Sequence, residues 1–317
     1  MKRMRVLVTG GTGFVGAHVV EELLRANNDI VTTYIMDEPR SYFSSAKLDK
    51  KVTKIHLDVR NYAGVLHLLT RFNIEYVLHL AAQPLVDVAL ANPLYTLDTN
   101  IMGTVSILEA SRMAKTVKGI IVASSDKAYG KLENGKYVEH DRLQGDHPYE
   151  VSKSAADLIC TSYIQTYALP VVITRFGNIY GEGDLNFSRI IPGMMDALIN
   201  KHPLQVRSDG TYMRDYLYVK DVARGYLQLL GSFEKARGEA FNFGSTETLK
   251  VTDVITIVEK VLKKKIPYTL LNTAVNEIPY QSLDYTKIHK RLNWSPRYTL
   301  AKTLPGMYRW YRKMLRS

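Results

Sequence analysis

Two hydrophobic patterns alternate along the first part of the chain. Short apolar runs rich in β-branched residues, such as residues 5–9, predict buried strands, and apolar positions spaced three or four residues apart, such as Val19 and Leu23, predict amphipathic helices. Further runs that predict strands lie at residues 29–35, 52–57, 76–80, 119–123 and 171–175. Strands that alternate with helices indicate an α/β fold with a doubly wound parallel sheet.

The pattern changes after the strand predicted at residues 171–175. Residues 177–183 contain three glycines and are predicted as a loop, and the strands and helices beyond them are shorter and more interrupted. We therefore expect a dinucleotide-binding domain over residues 1–178, with returns to its sheet near residues 216–245. Residues 179–317 are expected to form mainly a smaller, interleaved α/β region that holds the substrate.

A glycine-rich turn joins the first strand to the first helix. Gly10, Gly13 and Gly16 recur every third residue, and Phe14 and Val15 stand between the last two of them. Glycines at a strand–helix junction permit a tight turn and bring backbone N–H groups close to a pyrophosphate at the helix N-terminus. The turn predicts that these five residues contact a dinucleotide cofactor.

Other predicted cofactor contacts follow the later strands. Asp58 and Val59 come where a carboxylate can meet adenine, and small residues after the fourth strand leave room for the cofactor. The remaining predicted contacts are Leu80, Ala81, Ala82, Gln83 and Asn100.

The ribose position leaves the choice of cofactor open. An acidic residue that holds the adenosine ribose is expected at the end of the second strand, where Tyr34 stands, and Asp37 lies three residues further on. Arg40 and Ser41 are placed to accept a 2′-phosphate instead. We expect NAD, with NADP as the alternative.

Two segments carry candidate chemistry. Tyr149 and Lys153 are four residues apart on a predicted helix, so the ammonium can stabilise the phenolate and make it a general base. Ser125, Asp126 and Lys127 follow the fifth strand, at the sheet edge where parallel sheets place their chemistry. From these residues alone, a solvated ion pair in a loop is the favoured interpretation of Asp126 and Lys127. His79, on a buried strand, is expected to be a core residue rather than a catalyst.

Composition and charge exclude several classes of protein. The 317 residues are 46% hydrophobic and 23% charged and contain no long apolar run, so we expect a globular protein with no membrane partner. A single cysteine, Cys160, and a first segment typical of a strand rather than a signal peptide favour a cytoplasmic protein. Much of the net charge of +11 lies in residues 250–317, where basic and apolar residues mix as on solvated helical faces. We therefore expect no nucleic-acid partner and no metal site.

The same motifs resemble the extended short-chain dehydrogenase/reductase family, and within it the nucleotide-sugar 4,6-dehydratases and epimerases. The resemblance runs from residue 5 to about 310, and residues 80–86, 100–105 and 125–127 are most similar to the branch that acts on CDP-glucose. It implies a Rossmann-type fold, a nucleotide-diphosphate sugar as substrate, and a homodimer. The dimer would pair the helix at residues 93–114 and the helix at residues 149–167 with their symmetry mates in a four-helix bundle.

The resemblance also implies roles for the catalytic residues. Tyr149 would take the proton of the sugar O4 while C4 gives up hydride, Ser125 would hydrogen-bond O4, and Lys153 would hold the tyrosine ionised and bind the nicotinamide ribose. Asp126 and Lys127 would be the acid and base that eliminate water across C5 and C6. Such a lysine base must be uncharged, a form that burial and nearby positive charges favour.

The substrate contacts that the resemblance implies do not all point to the same branch of the family. Gln83, Asn178, Arg189, Arg214 and Asp284 are the candidates. Residues 175–181 and 209–216 look more like general epimerases and enzymes of dTDP-sugars, which leaves the nucleotide base open. Family epimerases often place an arginine where this chain has Gln281, so a phosphate contact is expected to be lost.

Two other functions remain open from sequence. A 4-epimerase needs Ser125, Tyr149 and Lys153 but no acid–base pair at residues 126 and 127. A non-catalytic dinucleotide-binding protein would need no activated tyrosine.

Overall fold

The computed structural model describes residues 3–131, 135–273 and 278–316. Its largest sheet is parallel and has seven strands in the order β3-β2-β1-β4-β5-β6-β10. These strands are β1 (Arg5–Thr9), β2 (Asp29–Tyr34), β3 (Thr53–His56), β4 (Tyr76–His79), β5 (Gly119–Ser125), β6 (Val171–Phe176) and β10 (Ala240–Phe243). The order 3-2-1-4-5-6 is that of a Rossmann fold, with β10 added beside β6.

Helices cover both faces of this sheet, so its strands, apart from the edge strand β3, are mostly buried. The helices are α1 (Phe14–Arg25), α2 (Tyr42–Ser45), α3 (Tyr62–Arg71), α4 (Val86–Ala91), α5 (Pro93–Leu97), α6 (Gly103–Met113), α7 (Pro148–Tyr167), α8 (Ile190–Asn200), α9 (Val219–Gly231), α10 (Phe233–Ala236), α11 (Val251–Leu262), α12 (Thr286–Leu292) and α13 (Leu300–Met314). One core lies between the sheet and α1, α9 and α12, and another lies between the sheet and α3, α6 and α7.

The helix predicted over residues 93–114 forms, but its middle is wider than an α-helix. A π-helical segment, Asp98–Met102, separates α5 from α6. Asn100 in this segment accepts a hydrogen bond from the backbone N–H of Gln83, at 2.8 Å, and donates to the Gln83 carbonyl, at 3.1 Å. We attribute the wider turn to these two hydrogen bonds, because π-helical turns often occur at functional sites.

Smaller sheets form the substrate half. Strand β9 (Met213–Tyr218) pairs with β11 (Thr248–Lys250) on one edge. On its other edge it pairs with β7 (Asn178–Tyr180) and β13 (Tyr280–Gln281). Strand β8 (Leu204–Val206) pairs with β12 (Tyr268–Leu270).

The prediction of a loop over residues 177–183 is wrong in its centre, where β7 forms. Asn178 is in register with Tyr216, and Ile179 and Tyr180 are residue types that favour strands. The flanking glycines indicated a loop. The strand could not be predicted locally, because its partner β9 lies far along the chain. A third core packs β7 and β9 against α8, α11 and α13.

The chain returns to the main sheet through α9 and β10, so the two halves are interleaved. In the described part of the chain, no helix combines the length and apolar character that crossing a membrane requires.

Candidate active site

The carboxyl end of β5 presents three polar residues in sequence. Ser125 ends the strand and caps a 3₁₀ turn, Asp126–Tyr129, and its Oγ accepts from the Lys127 backbone N–H at 3.3 Å. The same Oγ donates to Asp126 Oδ1 at 2.9 Å. Asp126 is buried and Lys127 is half-buried, so the two are not the solvated ion pair that the sequence left open.

Helix α7 brings Tyr149 and Lys153 beside this turn. Pro148 occupies the first turn of the helix, where its missing N–H costs no hydrogen bond, and Tyr149 and Lys153 lie one turn apart on the same face. Both side chains are buried, and Tyr149 is hydrogen-bonded to Ser125. The structure thus brings together all five residues predicted to be catalytic.

Burial dominates the surroundings of the Tyr149 phenol. Burial, reinforced by the carboxyl group of Asp126, raises the pKa of Tyr149 to about 12, although Arg189 and the Ser125 hydrogen bond oppose this rise. Lys153 Nζ donates to the Ala123 carbonyl at 3.0 Å, and burial lowers the pKa of Lys153 to about 8. Burial thus outweighs the groups that favour the phenolate, and the expectation that Lys153 lowers the pKa of the phenol stays a prediction.

Asp126 and Lys127 meet different surroundings. Burial raises the pKa of Asp126, although Lys127 and Ser125 oppose the rise, so the carboxyl group is biased toward its protonated form. Lys127 Nζ donates to the side-chain oxygen of Gln281 at 3.0 Å. The carboxylate of Glu150 also attracts Lys127 electrostatically. A carboxyl group and an amine in different surroundings thus stand side by side.

The glycine turn forms a cradle that only glycine can line. Gly10 has a φ of +67°, and a Cβ there would lie 2.9 Å from the Ala81 Cα. A Cβ on Gly16 would lie 2.2 Å from the Gly10 carbonyl oxygen. These close approaches leave the N-terminus of α1 uncovered by side chains, so the turn fits the pyrophosphate of a dinucleotide.

The ends of β1 and β4 are held by a polar network. Thr9 Oγ1 accepts from the backbone N–H of Leu80 and of Ala81, at 3.1 and 3.2 Å. The same hydroxyl contacts the Nδ1 of His79 at 2.8 Å. Burial, with a smaller effect of Lys153, lowers the pKa of His79 to about 3, so this histidine is a neutral core residue.

Gln83 and Asn100 connect the cofactor side to the catalytic helix. Besides its bonds to Gln83, the Asn100 side chain donates to Ser152 Oγ at 2.9 Å, and Ser152 lies between Tyr149 and Lys153. The Gln83 side chain donates to Thr96 Oγ1 at 2.7 Å. This network fixes α7 against the residues predicted to bind the cofactor.

The residues expected at the adenosine end are mostly exposed. Asp37 is paired with Lys54 at 2.6 Å, and the Arg40 side chain is directed to Glu38. Arg60 pairs with Asp58 at 2.6 Å, a contact that lowers the pKa of this carboxyl group. The other predicted contacts surround the cradle: Phe14 and Val15 begin α1, Val59 is buried, and Ala82 follows Ala81.

Residues predicted to contact the substrate lie on several elements. Arg214, on β9, is buried and donates to the carbonyls of Met213 and Pro279. Asn178, on β7, has a buried Nδ2 that meets no acceptor among the described residues.

Two further candidates have structural partners. Arg189 precedes α8 and donates to Asp184 at 3.1 Å. Asp284 accepts from the Thr286 backbone N–H at 2.6 Å, at the start of α12.

Two contacts of this site were missed by sequence reasoning. Gln281 was noted only as a lost phosphate contact, although it meets Lys127. Asp215 was overlooked: its buried carboxylate accepts from Thr248 Oγ1, Ser282 Oγ and the Leu283 N–H, at 2.7, 2.9 and 2.8 Å. It thereby joins β9 to β11 and to the segment after β13. An acidic residue beside an arginine at the start of an apolar run was the available signal.

Comparison with known proteins places this geometry among sugar-nucleotide enzymes. The family model described as GDP-mannose 4,6 dehydratase matches residues 7–307. CDP-glucose 4,6-dehydratase of Salmonella typhimurium is 29% identical, over 99% of this chain and 92% of the relative. dTDP-glucose 4,6-dehydratase of Haemophilus influenzae is 28% identical, over 97% of this chain and 98% of the relative.

Solved structures of two activities superpose on the chain. A dTDP-glucose 4,6-dehydratase from Streptomyces venezuelae, with NAD bound, has a TM-score of 0.89 at 27% identity, covering 98% of this chain and 97% of the other. A UDP-glucuronic acid 4-epimerase from Bacillus cereus, with UDP-glucuronic acid and NAD, has a TM-score of 0.88 at 28% identity, covering 98% and 100%. The overall fold therefore does not separate dehydratase from epimerase.

Proposed function

Because the chain belongs to the GDP-mannose 4,6-dehydratase family, we propose that it is an NAD-dependent nucleotide-sugar 4,6-dehydratase. It would convert a nucleotide-diphosphate sugar to the 4-keto-6-deoxy product with loss of water. The observation that carries this proposal is the placement of Asp126 and Lys127 beside Ser125 and Tyr149. The family model and the named relatives confirm the predicted family, the α/β fold and the class of enzyme.

The cofactor proposed is NAD. The cradle at Gly10 and Gly16 fits a pyrophosphate, and the solved dehydratase and epimerase both hold NAD. At the ribose end, Asp37 and Glu38 are both acidic, and Glu38 occupies the guanidinium of Arg40. Lys54 and Arg40 are engaged by these two carboxylates, so a 2′-phosphate would have to compete with them, which disfavours NADP.

The bound NAD would supply a hydride acceptor for C4 of the sugar and, later, the hydride donor for C6. In the first half of the reaction Tyr149 takes the proton from O4, and Ser125 turns from Asp126 to donate to the same oxygen. Since the pKa of Tyr149 is about 12, its ionisation needs positive charge nearby. Lys153 on the same face of α7 supplies one such charge once its ammonium is drawn from the Ala123 carbonyl.

The second half removes water. Lys127 takes the proton from C5, which the 4-keto group has made acidic, and Asp126 gives its proton to the departing O6 hydroxyl. The raised pKa of Asp126 favours the protonated form that a proton donor needs. A 4-epimerase has no need of these two steps, so a buried acid beside a lysine favours the dehydratase.

Polar groups of the substrate half would hold the diphosphate. We propose Arg214 and Arg189 as its charged partners, and the buried Nδ2 of Asn178 as an amide donor. A guanidinium can bind a phosphate through two N–H groups. Gln83 and Asp284 are proposed as further contacts to the substrate.

A 4-epimerase of the same family is the alternative, because the solved epimerases superpose as closely as the dehydratase. Incubation with CDP-, GDP-, dTDP- and UDP-sugars, followed by mass measurement, distinguishes the two. Loss of the mass of one water from a nucleotide sugar supports the dehydratase. An isomeric product of unchanged mass supports the epimerase.

We also propose a cytoplasmic homodimer. Exposed apolar side chains lie on α6 and α7: Leu158 is 56% exposed, Tyr167 53% and Met113 47%. Pairing of these helices with a second copy would cover them. Light scattering at micromolar concentration should give twice the chain mass, and a monomer would refute this assembly.

A further inference from the structure

Gln281 joins the substrate half to the catalytic turn across 154 positions of sequence. It lies on β13 in register with Arg214 of β9, and its side chain is fully buried. Its Oε1 accepts from Lys127 Nζ at 3.0 Å. Its Nε2 is also buried and has no acceptor among the described residues.

The two ends of this amide have different consequences. The oxygen holds the lysine ammonium by a hydrogen bond without adding charge, so the amine can lose its proton without breaking an ion pair. A carboxylate at this position would favour the charged lysine, and a guanidinium would repel it. A neutral amide is therefore compatible with both protonation states that a lysine base must pass through.

The unpaired Nε2 indicates a missing acceptor. A buried donor without a partner is unfavourable, and buried amides are normally satisfied on both ends. Arg214, the neighbour in register, carries only donors and cannot supply an acceptor from its side chain. A nucleotide sugar carries many oxygen atoms that can accept from such a donor.

We propose that Gln281 is the positioning residue for Lys127, and that its Nε2 donates to an oxygen of the bound nucleotide sugar. Bound substrate would then orient the Gln281 amide, and this amide would hold the Lys127 amine in position. This inference rests on the proposed function, since it gives Lys127 the role of the base.

Other charged groups near Lys127 also influence its protonation. Asp126 is on the same turn, and Glu150 reaches it from α7. Arg214 and Asp215 of β9 act on Asp126. All four remain in every variant below, so differences between variants report on Gln281.

Two substitutions separate the effects. Gln281→Glu keeps the shape and the acceptor but adds a negative charge within hydrogen-bond distance of Lys127. Because an opposite charge at this distance favours the ammonium, the pH at which Lys127 loses its proton should rise by about one unit or more. Gln281→Met keeps the length and removes the hydrogen bond. Gln205→Glu, at an exposed position in the middle of β8, adds the same charge without this contact and is the control.

Reactivity of Lys127 gives a readout that does not depend on turnover. The holoenzyme is labelled with acetic anhydride across a pH series, and the peptide that contains Lys127 is followed by mass spectrometry. Near neutral pH, Gln281→Glu should label about tenfold more slowly than wild type, and Gln205→Glu should be unchanged. A Gln281→Glu profile that matches wild type would overturn the proposal.

Kinetics test the positioning role itself. At saturating substrate, Gln281→Met should lower kcat about tenfold or more, with enzyme-bound NADH building up after oxidation at C4, while KM changes less. The acid limb of the pH–rate profile should move to higher pH in Gln281→Glu. If Gln281→Met raises KM and leaves kcat unchanged, Gln281 only binds substrate and the positioning role is wrong. If wild type eliminates no water, the proposed function fails, and the labelling result still reports on the Lys127 contact.

Discussion

Removal of the Lys127 amine should stop the reaction halfway. Lys127→Met retains the length of the side chain but cannot take the proton from C5. Oxidation at C4 depends on Tyr149, Ser125 and Lys153, which the substitution leaves in place. We therefore expect the variant to oxidise its substrate and then stall with reduced cofactor on the enzyme.

The size of the effect follows from what the side chain does. A positioned general base contributes about 10²–10⁴-fold, or roughly 3–5 kcal/mol of barrier, so loss of water should slow by that factor. The expected loss of folding stability is smaller, because the substitution removes the hydrogen bond from Nζ to Gln281 and the electrostatic attractions to Asp126 and Glu150. Leaving that buried acceptor unpaired costs about 1–3 kcal/mol.

The assay follows the absorbance of NADH after rapid mixing with the nucleotide sugar. Wild type should show at most a transient signal, and Lys127→Met should accumulate about one NADH per active site. Lys131→Met, at an exposed lysine four residues further on, is the matched control and should behave as wild type. Unchanged release of water by Lys127→Met would refute its role as the base.

Three further predictions use other parts of the site. Tyr149→Phe should fold and bind cofactor but turn over about 10²–10⁴-fold more slowly, and near-normal single-turnover rates would remove Tyr149 from the mechanism. Gly16→Ala places a Cβ 2.2 Å from a carbonyl oxygen, so affinity for NAD, measured by fluorescence titration, should fall about tenfold or more, and equal affinity would argue against the cradle. Burial lowers the pKa of His79 to about 3 and that of His18 to about 4, so the unfolded chain binds more protons as pH falls below 6.5. Between pH 7 and pH 5.5 each should cost roughly 1 kcal/mol of stability, and denaturant unfolding of His79→Gln should show a shallower loss.

Local sequence patterns predicted the elements whose ends are set by nearby residues. The glycine turn between β1 and α1 is such a case, because strand, turn and helix follow one another without interruption. Ser125 was placed correctly for the same reason, since parallel strands expose their carboxyl ends at one edge of the sheet. The π-helical segment at Asn100 was not predictable, because it accompanies hydrogen bonds to the backbone of Gln83, on another part of the chain.

Contacts between distant segments were beyond the sequence. Strand β7 forms only because β9 offers its edge, and Gln281 meets Lys127 only because β13 pairs with the same strand. The protonation state of Tyr149 could not be predicted from sequence for a related reason. Spacing shows that Lys153 is near, but burial, which depends on the whole fold, decides the pKa.

The fate of the proton at C5 tests the central proposal most directly. Turnover of the accepted nucleotide sugar in D₂O, followed by NMR and mass measurement of the product, shows whether solvent hydrogen enters at that carbon. The dehydratase mechanism, with Lys127 as base and Asp126 as acid, predicts deuterium at C5 and loss of one water. A product of unchanged mass, with its original hydrogen at C5 and inverted configuration at C4, would contradict it and identify a 4-epimerase.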